Sequence, residues 1–249
     1  SVPELLLRNG GGKPVLLLDG EELVGAKQNR VLNLTILAPA GKDLRIPVSC
    51  VEAGRWSWRS QQFRGTDRAF YAEGRLRKMQ SVSASMRYGS HRSDQSDVWR
   101  SIAEKSDRMG SVSPTGAAEA LYDDHRPDLD AMVKRIEVLD GHVGAAFFVG
   151  PRLAGVELFD AHRSLARFLP KLIRSYGLDA VEAMRRDTAF AAPPDADAVR
   201  RFLESVAKAT PDRHPAVGLG EDWRYSGQGL VAGALVHEGA LVHLSAFVH

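Results

Sequence analysis

The chain has 249 residues, 44% of them hydrophobic and 26% charged, which is ordinary globular composition and enough for one large domain or two small ones. A single cysteine, Cys50, excludes an internal disulfide, and no apolar run approaches the ~20 residues that a membrane-spanning helix needs. We therefore expect a soluble cytoplasmic protein without a membrane partner. The composition leaves its oligomeric state open.

The first predicted elements are short β-strands between residues 15 and 51. Residues 15–18 are apolar and precede Asp19-Gly20, a dipeptide typical of tight turns. The alternation over residues 31–38 and again over residues 44–51 predicts two further strands, joined as a hairpin by the loop 39–43. Pro47 cannot donate to a ladder, so we expect the second of these strands to be an edge strand or to carry a bulge.

Polar side chains are dense where these predicted strands end. Antiparallel neighbours lie about 5 Å apart, so the chain before Val31 should approach the chain after Val51. We predict one site there, with Glu22 and Glu52 as candidate acid–base or cation-binding carboxylates. The predicted ligand-binding residues are Lys27, Gln28, Asn29, Arg30 and Arg55. The alternative is an exposed ion pair capping the sheet, which would contribute under ~1 kcal/mol.

Two sequence motifs in this region carry a family resemblance. They are DGEELVGAKQNR at 19–30 and PVSCVEAGRW at 47–56, supported by HRSDQSDVW at 91–99 and GAAFFVGPRLAGVELFD at 144–160. The chain resembles, over nearly its whole length, the ARPP domain family, named for its association with ADP-ribosylglycohydrolases and rhodanese-phosphatases. The resemblance carries over no catalytic residue. It implies an indirect link to phosphorylated-nucleotide or ADP-ribose metabolism, and hence a ligand of that kind, either sensed or processed by a hydrolase or transferase.

Charge is unevenly distributed along the chain. Residues 55–92 contain nine basic and two acidic side chains, although the formal net charge of the whole chain is only +2. One interpretation is a non-catalytic module that docks on RNA or a protein through a basic face, with Trp56 and Trp58 among the aromatics that can stack on bases. Its candidate contacts are Arg64, Arg68, Arg75, Arg77, Lys78 and Arg87. The other interpretation is that these cations pair with acidic groups elsewhere in the chain.

The remainder of the chain alternates helical periodicity with hairpin signals. Helices are predicted over residues 76–88, 93–107, 127–139, 160–176, 178–190 and 199–206, with Ser93 as an N-cap and Gly177 as a helix end. Hairpins are predicted at 143–159 and 230–248. We therefore predict a single α+β domain over residues 1–249, with mixed or mainly antiparallel sheet and amphipathic helices packed on it. A weak internal boundary near 110–126 allows two lobes.

Familiar catalytic motifs do not occur in the sequence. It has no P-loop, dinucleotide fingerprint or nucleophile elbow. Histidine spacing does not favour zinc and no metal ligand is assigned, whereas a hard divalent cation stays open as a cofactor. Cys50 occupies an inward-looking strand position, which favours a small buried hydrophobe over a nucleophile.

Overall fold

The computed structural model describes residues 3–55, 60–185 and 195–249. The strands are β1 (Glu4–Asn9), β2 (Val15–Leu17), β3 (Glu21–Val24), β4 (Arg30–Leu32), β5 (Ile36–Ala38), β6 (Lys42–Cys50), β7 (Arg64–Ala69), β8 (Gly144–Val149), β9 (Arg152–Phe159), β10 (Asp212–Pro215), β11 (Glu221–Gly227), β12 (Leu230–His237) and β13 (Ala240–Val248). The helices are α1 (Ala72–Met86), α2 (Gln95–Met109), α3 (Glu119–Asp124), α4 (Arg126–Arg135), α5 (His162–Arg185) and α6 (Ala196–Lys208).

Two large antiparallel sheets carry the fold. The amino-terminal strands form a five-stranded sheet in the order β1-β6-β4-β3-β7, beside the small pair β2-β5. The carboxy-terminal strands form a six-stranded sheet in the order β10-β11-β12-β13-β9-β8. Helices pack on these sheets, so the predicted α+β class with antiparallel sheet is confirmed. None of the helices in the described part of the chain is long and apolar enough to cross a membrane.

Helices α1 and α5 link the two sheets through a shared apolar core. The stripe of α5, which includes Leu172, is buried against Met79 of α1 and against Val231 and Phe247 of the six-stranded sheet. Leu18, which follows β2, is part of the same cluster. An amphipathic helix gains most of its stability from burying such a stripe. The core therefore fixes the amino-terminal strands relative to the carboxy-terminal sheet.

The predicted strand over residues 31–38 is divided in the structure. Its first part, β4, pairs with β6, whereas its second part, β5, pairs with β2. Between them the side chain of Asn33 donates to the carbonyl of His91 at 2.8 Å, and Thr35 hydrogen-bonds to His243 at 2.9 Å. The prediction of an edge strand or a bulge at Pro47 is wrong, because β6 lies between β1 and β4 and its register with β1 runs unshifted through Pro47. The end of β4 at Leu32 leaves Pro47 just outside the ladder of β4 and β6.

The helix prediction at Gly177 is also wrong, because α5 continues through it to Arg185. A Cβ on Gly177 would lie 3.0 Å from the sulfur of Met132 and 3.1 Å from Leu129. The glycine therefore allows close approach of α4 and α5 rather than ending a helix. Residues 186–190 of the predicted helix at 178–190 lie outside the described residues. Helix α2 is capped by Asp94, one residue after the predicted Ser93.

A buried ionic network joins α1 to both halves of the fold. Arg75 of α1 donates to Glu157 of β9 at 2.7 Å, and Lys78 of α1 forms an ion pair with Asp19. Glu157 also accepts from His243 of β13 at 3.0 Å. All of these side chains are buried. Arg75 and Lys78 are therefore internal ion-pair partners, which corrects their assignment to a basic surface.

The other members of the predicted nucleic-acid face do not form one continuous patch. Arg68 is buried against Glu22, so it too is unavailable to a polyanion. Arg77 is half-buried and pairs with Asp97 at 2.7 Å. Arg64 and Arg87 remain exposed. Much of the basic segment is thus neutralised inside the protein, and Trp56 and Trp58 lie outside the described residues.

Candidate ligand-binding site

The polar groups predicted to share a site meet where β4 and β6 end together. The register pairs Arg30 with Cys50, and the N–H of Val51 donates to the carbonyl of Asn29 at 3.1 Å. Glu52 comes next in the chain, and its Oε2 accepts the backbone N–H of Asn29 at 3.1 Å. The hairpin register therefore converts a separation of more than twenty residues into direct contact.

Glu52 is the centre of this arrangement. Its Oε1 accepts from Arg55 Nε at 2.9 Å and from Thr115 Oγ1 at 3.0 Å, while Oε2 lies 2.8 Å from Arg55 Nη2. Burial alone would raise the pKa of Glu52, but the bonds from Arg55, Asn29 and Thr115 lower it below its ordinary value. Glu52 is therefore an ionised carboxylate whose oxygens are already engaged. It holds Arg55 and Asn29 in position.

Two buried amides extend the network. Gln28 Nε2 donates to the carbonyl of Glu52 at 2.9 Å, and Gln28 Oε1 accepts from Arg30 Nη1 at 3.2 Å. Asn29 Oδ1 accepts from Arg55 Nη2 at 3.2 Å, and its Nδ2 donates to Glu119 Oε2 at 3.2 Å. Each amide thus uses both its donor and its acceptor, which fixes its orientation.

Arg30 differs from the other arginines of the site. Among the described residues no carboxylate lies within ion-pair distance of its guanidinium, and its buried Nε has no hydrogen-bond partner. Gln28 nevertheless holds the guanidinium through Nη1. A buried donor without a partner costs about 1–3 kcal/mol. Lys27 is exposed next to this position.

Glu22 lies in the adjoining part of the same network. It is buried on β3 and forms an ion pair with Arg68 of β7, whereas its Oε1 has no hydrogen-bond partner. Burial raises the pKa of Glu22, and Arg68 only partly opposes the shift. Arg68 Nη2 also contacts Glu119 Oε1 at 3.0 Å. Glu119, which contacts Asn29 as well, therefore connects Glu22 to the Glu52 group.

Several residues of the site were not predicted from the sequence. Arg68 is predicted to lie on a basic face, and the sequence predicts no role for Thr115, Glu119 or Gln95. Thr115 and Glu119 lie in the site because the segment after β6 pairs with residues 115–118. In this pairing the Gly54 N–H donates to the Thr115 carbonyl at 2.7 Å. A signal was present for Gln95, since it lies in the HRSDQSDVW motif. Its amide binds both the N–H and the C=O of Cys50, each at 2.8 Å.

Cys50 is buried, and its Sγ donates to the carbonyl of Glu52 at 3.2 Å. We expect Cys50→Ala to lower the free energy of unfolding by about 1 kcal/mol, a typical cost for one core substitution, and to leave ligand binding unchanged. Urea denaturation and a binding titration of the same variant would measure both effects. Rapid labelling of Cys50 by a thiol reagent in the folded protein would contradict the structural role.

Carboxylates close enough to share a cation occur at another place in the described residues. Glu73, Asp179 and Glu182 present oxygens within 4.8 Å of one another. The ammonium of Lys105 lies among them, at 2.5 Å from Asp179 and 2.7 Å from Glu182. A positive charge therefore already compensates this cluster.

The family model of the ARG and Rhodanese-Phosphatase-superfamily-associated Protein domain, ARPP-1, matches residues 1–247. No curated protein and no solved structure matches the chain. The matched range includes every residue of the site, both those predicted from the sequence and those that only the fold brings in.

Proposed function

The chain belongs to the ARG and Rhodanese-Phosphatase-superfamily-associated Protein domain family, and from this membership and the state of Arg30 we propose that it binds a phosphorylated nucleotide or ADP-ribose-like ligand. The carrying observation is the half-buried guanidinium of Arg30, which Gln28 orients and no described carboxylate neutralises. The family is associated with the ADP-ribosylglycohydrolase and rhodanese-phosphatase superfamilies, and this association supports a ligand of that kind.

A phosphate is the acceptor that Arg30 fits best. The planar guanidinium matches two phosphate oxygens at once, and a charge-assisted bond of this type is stronger than a neutral one. Lys27, three residues earlier in the chain, is exposed and carries a second positive charge.

The sugar part of such a ligand has acceptors on the open side of the network. The side chain of Glu119 is 25% exposed and that of Asp123 is 49% exposed, whereas Glu22 and Glu52 are almost completely buried. Carboxylate oxygens accept hydrogen bonds from hydroxyl groups, so Glu119 and Asp123 are suited to a ribose. We assign Glu119 the first contact, because Asn29 and Arg68 hold it in place.

Turnover by a hydrolase or transferase is the second candidate function, and the two buried carboxylates favour it. The environment raises the pKa of Glu22 and lowers the pKa of Glu52. A carboxyl group with a raised pKa is suited to donate a proton, whereas one with a lowered pKa stays ionised. In this proposal Glu22 is the proton donor, through the oxygen that has no partner, and Glu52 positions Arg55.

Docking on RNA or a protein through residues 55–92 is supported less well. A polyanion needs exposed cations along a continuous stripe. Arg68, Arg75 and Lys78 are buried in ion pairs instead.

Arg30→Ala tests the proposed phosphate contact. We expect ADP-ribose to raise the melting temperature of the natural chain, because a ligand of the folded state stabilises it. The substitution should weaken ADP-ribose binding by tenfold to a hundredfold, since a hydrogen bond to a charged group contributes about 1.5–3 kcal/mol. Isothermal titration calorimetry measures the affinity, and Arg30→Lys should recover only part of it because it lacks the fork.

Arg45→Ala is the matched control for this test. Arg45 lies in β6 of the same sheet, but its side chain is 75% exposed. Its ion pair with Glu4 is long, at 3.9 Å between Nη1 and Oε2. Its removal should leave ADP-ribose binding unchanged. A natural chain that responds to none of ADP-ribose, ADP and inorganic phosphate, or an Arg30→Ala variant that binds as tightly as the natural chain, would contradict the proposal.

A further inference from the structure

Strand β8 is the uncharged edge of the six-stranded sheet. The two large sheets have four outer strands, and β8 has the sequence GAAFFV. The other three carry charged side chains: Glu4 and Arg8 in β1, Arg64, Asp67 and Arg68 in β7, and Asp212 and Arg213 together with Pro215 in β10. Charged residues and proline on an outer strand discourage pairing with another chain. Only β8 among these four outer strands lacks that protection.

The backbone of β8 is open on its outer side. Val143 accepts a hydrogen bond from the N–H of Phe159 on β9 at 2.7 Å. Because peptide groups alternate along a strand, those of Gly144 and Ala146 point away from β9. Within the described part of the chain, no backbone hydrogen bond reaches β8 from that side. Such an edge is a template for one more strand.

Exposed apolar side chains precede β8 in the chain. Ile136 is 50% exposed, Leu139 is 59% exposed and Val143 is 41% exposed. Single exposed apolar residues are normal on a protein surface, but a group beside an open strand marks an interaction site.

We propose that β8 pairs antiparallel with β8 of a second copy of this chain, about a two-fold axis, to form one continuous twelve-stranded sheet. A self-complementary contact of this kind requires that a strand tolerate its own copy. The uncharged sequence of β8 meets that requirement, because self-pairing brings no like charges together.

Ala146→Lys tests the pairing in solution. Ala146 is exposed near the middle of β8, so the two-fold axis would bring two lysines to about 5 Å spacing across the new ladder. Sedimentation velocity should give the natural chain twice its 27.2 kDa mass, and the variant should associate at least tenfold more weakly. Leu6→Lys is the matched control, because Leu6 is 66% exposed on β1, the edge of the other sheet. It should leave the dimer intact, and circular dichroism should show both variants folded.

Ala146→Cys gives an independent readout. The natural Cys50 is buried, so the new thiol is the accessible one in the described chain. Pairing of the two β8 strands should yield a disulfide-linked dimer under mild oxidation, whereas Leu6→Cys should not. A natural chain that sediments as a single copy at every concentration up to its solubility limit would overturn the proposal. A dimer that Leu6→Lys dissociates and Ala146→Lys leaves intact would overturn it equally.

Discussion

Glu157→Gln should lower the free energy of unfolding by about 3–5 kcal/mol, the cost of removing one partner from a buried charge pair. Glu157 is fully buried, and its Oε1 accepts from Arg75 at 2.7 Å, from Tyr176 at 3.0 Å and from Ser245 at 3.1 Å. Glutamine has nearly the same shape but no charge, so Arg75 would stay buried with less compensation. Urea denaturation at pH 7 measures the loss.

The same carboxylate should make stability depend on pH in acid. Burial opposes ionisation of Glu157, but Arg75 and His243 outweigh it and lower its pKa from 4.5 to about 2. A carboxylate whose pKa is lower in the folded state binds fewer protons there than in the unfolded state. Its contribution to the free energy of unfolding is therefore complete above the unfolded-state pKa, and it decreases as the pH falls towards the folded-state pKa. The difference in the free energy of unfolding between the natural chain and Glu157→Gln should therefore become smaller as the pH falls from 4.5 to about 2.

Asp43→Asn is the control for both measurements. Asp43 also pairs with an arginine, Arg8, but the two side chains are 44% and 74% exposed. Water screens an exposed pair of this kind, so this variant should differ little from the natural chain at neutral pH. A Glu157→Gln variant that is no less stable than Asp43→Asn would show that the buried network does not stabilise the fold.

Helix α1 shows what helical periodicity in the sequence can predict and what it cannot. The helical spacing of the apolar residues Met79, Val82 and Met86 predicts a helix over residues 76–88, and α1 contains all three. Arg75 and Lys78 are buried on the same helix, close to that face, yet their charge suggested a surface. Helical spacing indicates which face a residue occupies, whereas only the packed sheets supply Glu157 and Asp19 as the partners that make burial of these cations tolerable.

The candidate site likewise has a part that the sequence predicts and a part that it does not. Local hairpin register was sufficient to bring Asn29 beside Glu52, because the two strands are near in sequence. Thr115 and Glu119 come from a segment more than sixty residues later, and they reach the site through pairing of residues 51–54 with 115–118. Such non-local pairing depends on the whole packed structure, and one sequence carries no pattern that specifies it.

Glu52→Gln should combine the largest loss of ligand binding with a moderate loss of stability. The substitution removes the charge that holds Arg55 and weakens the acceptor of the Asn29 N–H. We expect ADP-ribose affinity to fall about a hundredfold, or 2.7 kcal/mol, because Gln28 and Arg30 depend on the same segment for their positions. The free energy of unfolding should fall by about 2–3 kcal/mol, less than for Glu157, since Arg55 is partly exposed. Calorimetry and urea denaturation measure the two quantities.

Thr115→Val separates the loss of ligand binding from the loss of stability. It removes one hydrogen bond from a hydroxyl to the ionised Glu52 Oε1, worth about 1.5–3 kcal/mol, and leaves the contacts with Arg55 and Asn29 in place. Its ADP-ribose affinity should therefore stay close to that of the natural chain, while Glu52→Gln loses binding. If Glu52→Gln lost stability but bound ADP-ribose normally, Glu52 and Arg55 would be an ion-pair cap on the end of the sheet, and the ligand would have to be sought elsewhere. Loss of binding in Glu52→Gln and in Arg30→Ala, with both proteins folded, would instead place the two residues in one site.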